Sequence, residues 1–429
     1  METLLTGLGA GDPPLLVEGL LPPDLQGTFL HIGPGASTAD AEPGALHAIE
    51  LRDGSAVSYL TRPSPADANL FWHAGSVLAL PESGRPSQYS RELEPEEFAS
   101  ALSIDIASHV RREAATGRRL LFGIDRGPET TRLRLGEWAA DGSLAAAHAI
   151  TLERATWQHD IGLTASRVVF IESPTEPLGA GHAVDYGWVP GAEGWIGVVS
   201  RHHETNGGEA PVTWVRVDPC LVTHVLGAYD EHDGDESAVI IYVVRYPAPE
   251  KGQPIDLSQP VVGSAGIGAQ LIGGGLGTLE RWRISGERLE REPLDDRFVE
   301  YPTMDAVCDG APFRYGYGVE MGQALGPGQV VQRGLLRFDL ARAEVAAWSP
   351  GHGCTASEPV FVRAVDGRND DEGWLLCLVD DATRGGTDLY VLDASSFGRR
   401  APQAIVHLPD AVIVPFRSHG QWVGAEHYR

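Results

Sequence analysis

The chain has 429 residues, with 33 Lys and Arg against 59 Asp and Glu and a formal net charge of −26. That balance repels phosphate backbones and argues against nucleic acid as a partner. No 18-residue apolar run is present, which excludes a membrane-spanning helix, and 42% hydrophobic residues exclude wholesale disorder.

Glycine (52) and proline (30) make up about 19% of the chain, against a background of roughly 12%. In a chain this apolar, such an excess predicts many short elements joined by turns rather than long helices. The first residues, METLLTGLGAGDPP, lack a basic leader and are not read as a signal peptide. Strand-like runs then follow in order: GTFLHI (27–32), HAIELRDGSAVSYLTR (47–62) and SVLALPESG (76–84). In the second, two β-prone runs flank Asp53-Gly54, a strong two-residue hairpin signal. Further runs are RVVFIES (167–173), WIGVVSR (195–201), TWVRVDP (213–219), AVIIYVVRYP (238–247) and LERWRISG (279–286). The series closes with FRYGYGV (313–319), GLLRFDLARAEV (334–345), WLLCLVDD (374–381) and DLYVLDASSF (388–397). Short, evenly spaced strands with turn signals predict an all-β propeller or sandwich. With no low-complexity linker to divide it, 1–429 reads as one propeller domain.

Helical or loop insertions are expected at 85–102, 120–140 and 248–278. The last, rich in proline and charge and then in glycine, reads as a surface excursion, or as a segment lining a ligand entrance or dipping into a lipid surface. Cys220, Cys308, Cys354 and Cys377 lack metal-like or disulfide-like spacing and are expected to be reduced. No GxSxG or HExxH occurs, and the glycines of 273–277 fit neither a dinucleotide nor a P-loop pattern.

Four of the 15 histidines sit in patterned surroundings: His109 in SHVRREAATG, His159 in QHDIGLT, His224 in THVLGAYDE and His419 in FRSHGQW. Only a closed or ring-like fold brings positions so distant together. These segments, with VEGLLPPDLQGTFLHIGPG (17–35), WHAGSVLALPESGRP (72–86), LERWRI (279–284), EYP (300–302), RYGYG (314–318) and SEPVFV (357–362), resemble those of the carotenoid cleavage oxygenases, in the family's order. That resemblance implies a seven-bladed β-propeller with a helical or loop dome over its top face. It further implies one Fe(II) per chain, held by His109, His159, His224 and His419, with Glu82, Glu300 and Glu358 behind the imidazoles. Neutral imidazole suits Fe(II), and a carboxylate on the other ring N–H fixes the tautomer and returns negative charge. The implied activity is dioxygen-dependent cleavage of a carbon–carbon double bond in a carotenoid or apocarotenoid, giving carbonyl products. The implied partner is an apolar conjugated small molecule. No obligate protein partner is inferred, and the expected location is the cytoplasm, with transient contact to a membrane surface.

The chain departs from the family pattern at several points. His31-Ile32-Gly33-Pro34-Gly35-Ala36 replaces Arg-Asn-Gly-Pro-Asn-Pro, Pro43-Gly44-Ala45-Leu46 replaces Gly-Asp-Gly-Met, and Gly227 replaces an Asn. His31 and His47 are not expected to be ligands. In the stilbene-cleaving branch a Tyr and a Lys engage the substrate phenol; Trp72 and Arg85 stand at those positions and are the candidate pocket residues. Their loss favours an apolar polyene over a stilbene or phenylpropanoid. Two rival readings remain open: a binding propeller with a decayed metal site, and a hydrolase or lactonase whose Ca²⁺ or Zn²⁺ is held by carboxylates.

Overall fold

Asp53 and Gly54 both take positive φ, 52° and 71°, and the chain reverses there from strand Gly44–Arg52 into Ser55–Ser64. This is the first of a series of hairpins in a computed structural model describing residues 14–33, 44–65, 68–98, 106–127, 130–178, 186–201, 210–234, 236–248, 277–323, 330–409 and 419–428. Among these residues, six four-stranded sheets and one six-stranded sheet form the seven blades of a propeller, beside two small two-stranded ribbons.

From the axis outward, blade 1 runs Gly420–Gly424, Gly27–Gly33, Gly44–Arg52 and Ser55–Ser64; blade 2 runs Asn69–His73, Ser76–Leu80, Ser87–Tyr89 and Pro95–Glu96. The innermost strands of blades 3 to 6 are Arg111–Arg112, Gly162–Leu163, Cys220–Asp233 and Val299–Thr303. Blade 7 begins with Cys354–Ala356 and Val360–Arg363, both paired to Gly373–Asp381. Its outer edge is completed by Val17–Gly19, paired to Ala404–His407, while the C-terminal strand Gly420–Gly424 completes the inside of blade 1. Among the described residues, the first strand, Val17–Gly19, and the last, Gly420–Gly424, are therefore both paired into blades.

The apolar core follows from strand period. In Glu236–Pro247 the side chains of Ile240, Tyr242, Val244 and Tyr246 pack toward blade 6, while Val239, Ile241 and Val243 pack toward blade 4. A strand buried on both faces reads as a continuous apolar run, which is why AVIIYVVRY lacks polar alternation. Seven apolar clusters result, one at each seam between neighbouring blades. Each fully buried Leu, Ile, Val or Phe stabilises its seam by about 1.5–3 kcal/mol.

The expected insertion at 120–140 is corrected: Arg119–Arg126 and Thr131–Trp138 pair over their whole length as the second and third strands of blade 3. The arginines that resemble loop residues alternate with buried Leu121, Leu133 and Leu135. Segment 85–102 likewise supplies the outer strands Ser87–Tyr89 and Pro95–Glu96, with 99–102 outside the described residues. Residues 249–276 also lie outside them, so the excursion expected at 248–278 is not described. The helices among the described residues are two short 3-10 turns, Ala306–Cys308 and Ala425–Tyr428, and none is long and apolar enough to cross a membrane. All four cysteines are free thiols.

One buried carboxyl gives the fold a pH signature. Glu172 ends strand Arg167–Glu172 with Oε1 buried and without a partner. Burial, opposed by Arg154 and reinforced by Glu153, pushes its pKa up to about 7. A carboxyl whose folded pKa is raised favours the folded state below its unfolded pKa, and that contribution is lost as pH rises through 7. Glu172→Gln is expected to raise the melting temperature at pH 8, by on the order of 2 kcal/mol of stability, and to have little effect at pH 5. Thermal melts at the two pH values check this; an equal effect at both contradicts it.

Candidate metal centre

The propeller places the start of every innermost strand near one end of the axis. His109 precedes Arg111–Arg112, His159 precedes Gly162–Leu163, and His419 immediately precedes Gly420–Gly424. His224 lies within Cys220–Asp233, where the register shifts between Val222 and Val225 and again between Val225 and Gly227. Such bulges re-aim a side chain out of the strand's regular alternation. One ligand-capable nitrogen from each of the four imidazoles lies within 4.8 Å of all the others. His159 Nε2 is 3.1 Å from His109 Nε2 and 3.3 Å from His224 Nε2. Among the described residues this is the cluster of three or more His, Cys, Asp or Glu side chains arranged to hold a metal ion.

The outward nitrogens meet carboxylates. His159 Nδ1 lies 2.7 Å from Glu82 Oε1, His224 Nδ1 2.6 Å from Glu300 Oε2, and His419 Nδ1 3.0 Å from Glu358 Oε1. Each carboxylate is itself held. Glu82 accepts from Trp157 Nε1 at 2.9 Å and Ser108 Oγ at 3.2 Å; Glu358 accepts from Gly420 N at 2.9 Å. Glu300 accepts from Thr223 Oγ1 at 2.9 Å and from the Tyr246 hydroxyl. Tyr301, beside Glu300, takes φ 52°, and the register of its strand shifts between Glu300 and Thr303. That irregularity turns the Glu300 carboxylate toward blade 5.

His109 differs from the other three. Its Nδ1 lies 3.9 Å from Asp160 Oδ2, beyond a hydrogen bond. Asp160 is instead engaged by Arg111 at 2.8 Å and by Val225 N at 2.7 Å, tying together the inner strands of blades 3, 4 and 5. Asp160 was not among the sequence-derived candidates, nor were Ser108, Trp157, Thr223 and Tyr246. The available signal was adjacency, since Ser108, Asp160 and Thr223 each neighbour one of the four histidines in sequence.

Electrostatics bias two of the four imidazoles toward the neutral form and two of the carboxylates toward the charged form. Burial, then the neighbouring His159, His419 and His224, hold His109 well below the ordinary imidazole pKa. Burial also lowers His224 despite Glu300. For His159 burial lowers the pKa, but Glu82, Asp160 and Glu300 outweigh it and the net shift is upward. Glu82 and Glu300 stay below the usual carboxylate range: burial opposes this, and His159 and His224 respectively overcome it. Four imidazoles with a nitrogen facing inward, and a carboxylate behind three of them, fit a divalent transition metal.

The remaining candidates fall elsewhere. Trp72 is buried in the seam between blades 1 and 2, and Arg85 is exposed, donating to Phe98 O at 2.9 Å. Neither lines the cavity beside the histidines, whereas Phe71 does. His31 and His47 face each other across strands of blade 1, with His47 Nδ1 2.8 Å from the Tyr59 hydroxyl, and neither joins the cluster. Gly227 leaves space that Met304 and Phe313 fill: a Cβ there would lie 2.7 Å from Met304 Cε and 2.8 Å from Phe313 Cε1. Pro34, Gly35, Ala36 and Pro43 lie outside the described residues.

Fold and site together define a propeller with a four-histidine cluster that could hold a metal ion, an arrangement unlike the carboxylate-ligated site expected of the hydrolase. The family model described as "Retinal pigment epithelial membrane protein" matches residues 52–424, and the chain belongs to that family, which includes the carotenoid cleavage oxygenases. It is 25% identical to a carotenoid cleavage oxygenase of Mycobacterium tuberculosis, over 95% of this chain and 93% of that protein. The fold matches a lignostilbene dioxygenase from Pseudomonas brassicacearum with a TM-score of 0.81 at 20% identity, covering 98% of this chain and 96% of that one. A variant of the Synechocystis apocarotenoid oxygenase gives a TM-score of 0.80 at 19% identity, covering 99% and 96%.

Proposed function

We propose that this protein is a non-haem Fe(II) dioxygenase, a single propeller unit that cleaves a carbon–carbon double bond of a carotenoid or apocarotenoid to two carbonyl products. The observation carrying this reading is the four-imidazole cluster with a carboxylate on the outward nitrogen of three rings. In the proposed role His109, His159, His224 and His419 hold the iron. Bound there, Fe(II) would supply the one-electron and dioxygen chemistry that side chains lack.

The chain's own residues supply orientation and charge. Glu82, Glu300 and Glu358 keep the proton of their histidines on Nδ1, leaving the Nε2 lone pair directed inward. Trp157 and Ser108 hold the Glu82 carboxylate in place, Thr223 and Tyr246 hold that of Glu300, and Gly420 N holds that of Glu358. The blade seams keep the surroundings rigid and largely dry. A polyene is favoured over a phenolic stilbene because Trp72 and Arg85 offer no phenol-binding pair: one is packed in a seam and the other is turned to Phe98.

Anaerobic reconstitution with Fe(II), followed by dioxygen and a panel of apocarotenoids and stilbenes, tests the proposal. The expected result is dioxygen uptake and paired aldehyde or ketone products, by mass spectrometry, from a polyene. Cleavage of stilbenes alone would transfer the chain to the phenylpropanoid branch. Bound iron without dioxygen uptake on any substrate would overturn the enzymatic reading, and failure to bind iron would favour a binding propeller with a decayed site.

A further inference from the structure

His109, His224 and His419 line a cavity of about 160 Å³ to which the innermost strand of every blade, or the residues flanking it, contributes. Its polar lining is unusual in which valences are left over. Asp160 is saturated by Arg111, Val225 N and Ile161 N, and Glu358 by His419 and Gly420 N. Arg111 in turn is consumed by Asp160, Ile161 O and Val225 O. Both carboxylates on this wall are therefore already engaged by protein donors.

Donor groups are left over. Asn69 Oδ1 accepts from Leu70 N at 2.7 Å, and Gln421 Oε1 accepts from Trp72 N at 2.5 Å. Both amide oxygens being committed, what each side chain still offers is its NH₂ group. Arg119 also lines the cavity, giving one N–H to Trp72 O at 3.0 Å and lying 5.6 Å from the centre of the Phe71 ring. Its Nε is buried without a partner, and among the described residues no carboxylate comes within ion-pair distance of it. A guanidinium is charged at any physiological pH, and a buried charge with an orphaned N–H is costly unless something pairs with it. Asp309, which accepts from Arg112 N, opposes the shift that burial and Arg112 impose on Arg119 but does not line the cavity.

We propose that the axial cavity is a binding site for one small monovalent anion, a halide or a formate-like carboxylate, held by Arg119 with the amide NH₂ groups of Asn69 and Gln421. The bare Nε–H and its neighbouring nitrogen form a fork suited to a carboxylate, whereas a halide engages it as a point charge. His109, His224 and His419 line the same cavity, but the proposed anion contacts are those of Arg119, Asn69 and Gln421 and need no metal to form.

The test uses crystals of the full chain, prepared with and without iron and soaked in sodium bromide. An anomalous bromide peak is expected in the axial cavity, within hydrogen-bond distance of Arg119, in both preparations. In solution, sodium formate and sodium bromide are titrated by thermal shift, and formate is expected to saturate at the lower concentration. Arg119→Gln is expected to raise the half-saturating concentration of either salt at least tenfold. Asn69→Asp, which replaces a donor with a negative charge, should remove the peak as well. If Arg119→Gln does not fold, the wild-type soak and Asn69→Asp still decide the matter. Bromide found on the protein surface only, or only among the histidine nitrogens, overturns the proposal; so does a thermal-shift titration unchanged by either substitution.

Discussion

Alanine at position 159 is expected to abolish stoichiometric iron binding and all double-bond cleavage. His159 Nε2 is the nitrogen nearest both His109 and His224, so its removal takes a donor from the middle of the cluster. It also leaves the Glu82 carboxylate without the imidazole that, against burial, holds its pKa down. Loss of an outer carboxylate partner typically weakens a metal site 10–100-fold, and loss of a direct ligand exceeds that. Iron per chain, measured after anaerobic reconstitution and desalting, is expected to fall by more than tenfold. None of the seven apolar seams contains His159, so the circular dichroism spectrum should stay that of the parent. A variant that retains full iron would remove His159 from the proposed ligand set.

Glu300→Gln is expected to weaken iron affinity by about 10–100-fold with little change in shape. Glu300 is 2% exposed and takes hydrogen bonds from His224, Thr223 and Tyr246. A glutamine keeps the volume but presents one acceptor oxygen and an NH₂ group to three donors, and it removes the charge that holds the proton on His224 Nδ1. The pH dependence gives a second readout. The Glu300 pKa in the folded chain lies below its usual 4.5, since His224, Tyr246 and Thr223 outweigh burial. A depressed carboxyl stabilises the fold above its unfolded pKa and loses that contribution as pH falls through the folded value. Metal-free wild type should therefore melt above the Gln variant at pH 7, and the gap should narrow below about pH 4.5. A gap that stays constant down to pH 3 would falsify the charged role of Glu300.

Much of this molecule was legible before its structure. Strand cadence, Asp53-Gly54 and the two-sided apolar run at 238–247 all correspond to strands and turns of the blades. Errors arose where local composition competed with packing. The arginines of 119–134 resemble a polar loop, yet the leucines between them face the seams, and burial decides the outcome. A helical or loop dome was expected over the top face; the helices among the described residues are two short 3-10 turns.

The site divides in the same way. Residue types and motif order singled out four histidines and three glutamates, because their short sequence patterns are distinctive. Which atoms meet was not readable from a linear chain. Contacts between residues 50 to more than 300 positions apart depend on ring closure, which brings His419 within a few ångströms of His109. Asp160, Tyr246 and the partnerless Nε of Arg119 likewise emerge only from the packed blades. The amino-acid sequence alone determined the all-β repeat and the family, since strand period and ordered motifs are local or additive properties. Only the tertiary structure decided that the histidines converge, that Trp72 is core rather than pocket wall, and which hydrogen-bonding valences remain free. Those depend on distances between blades, and a distance across a closed ring is a property of the whole fold.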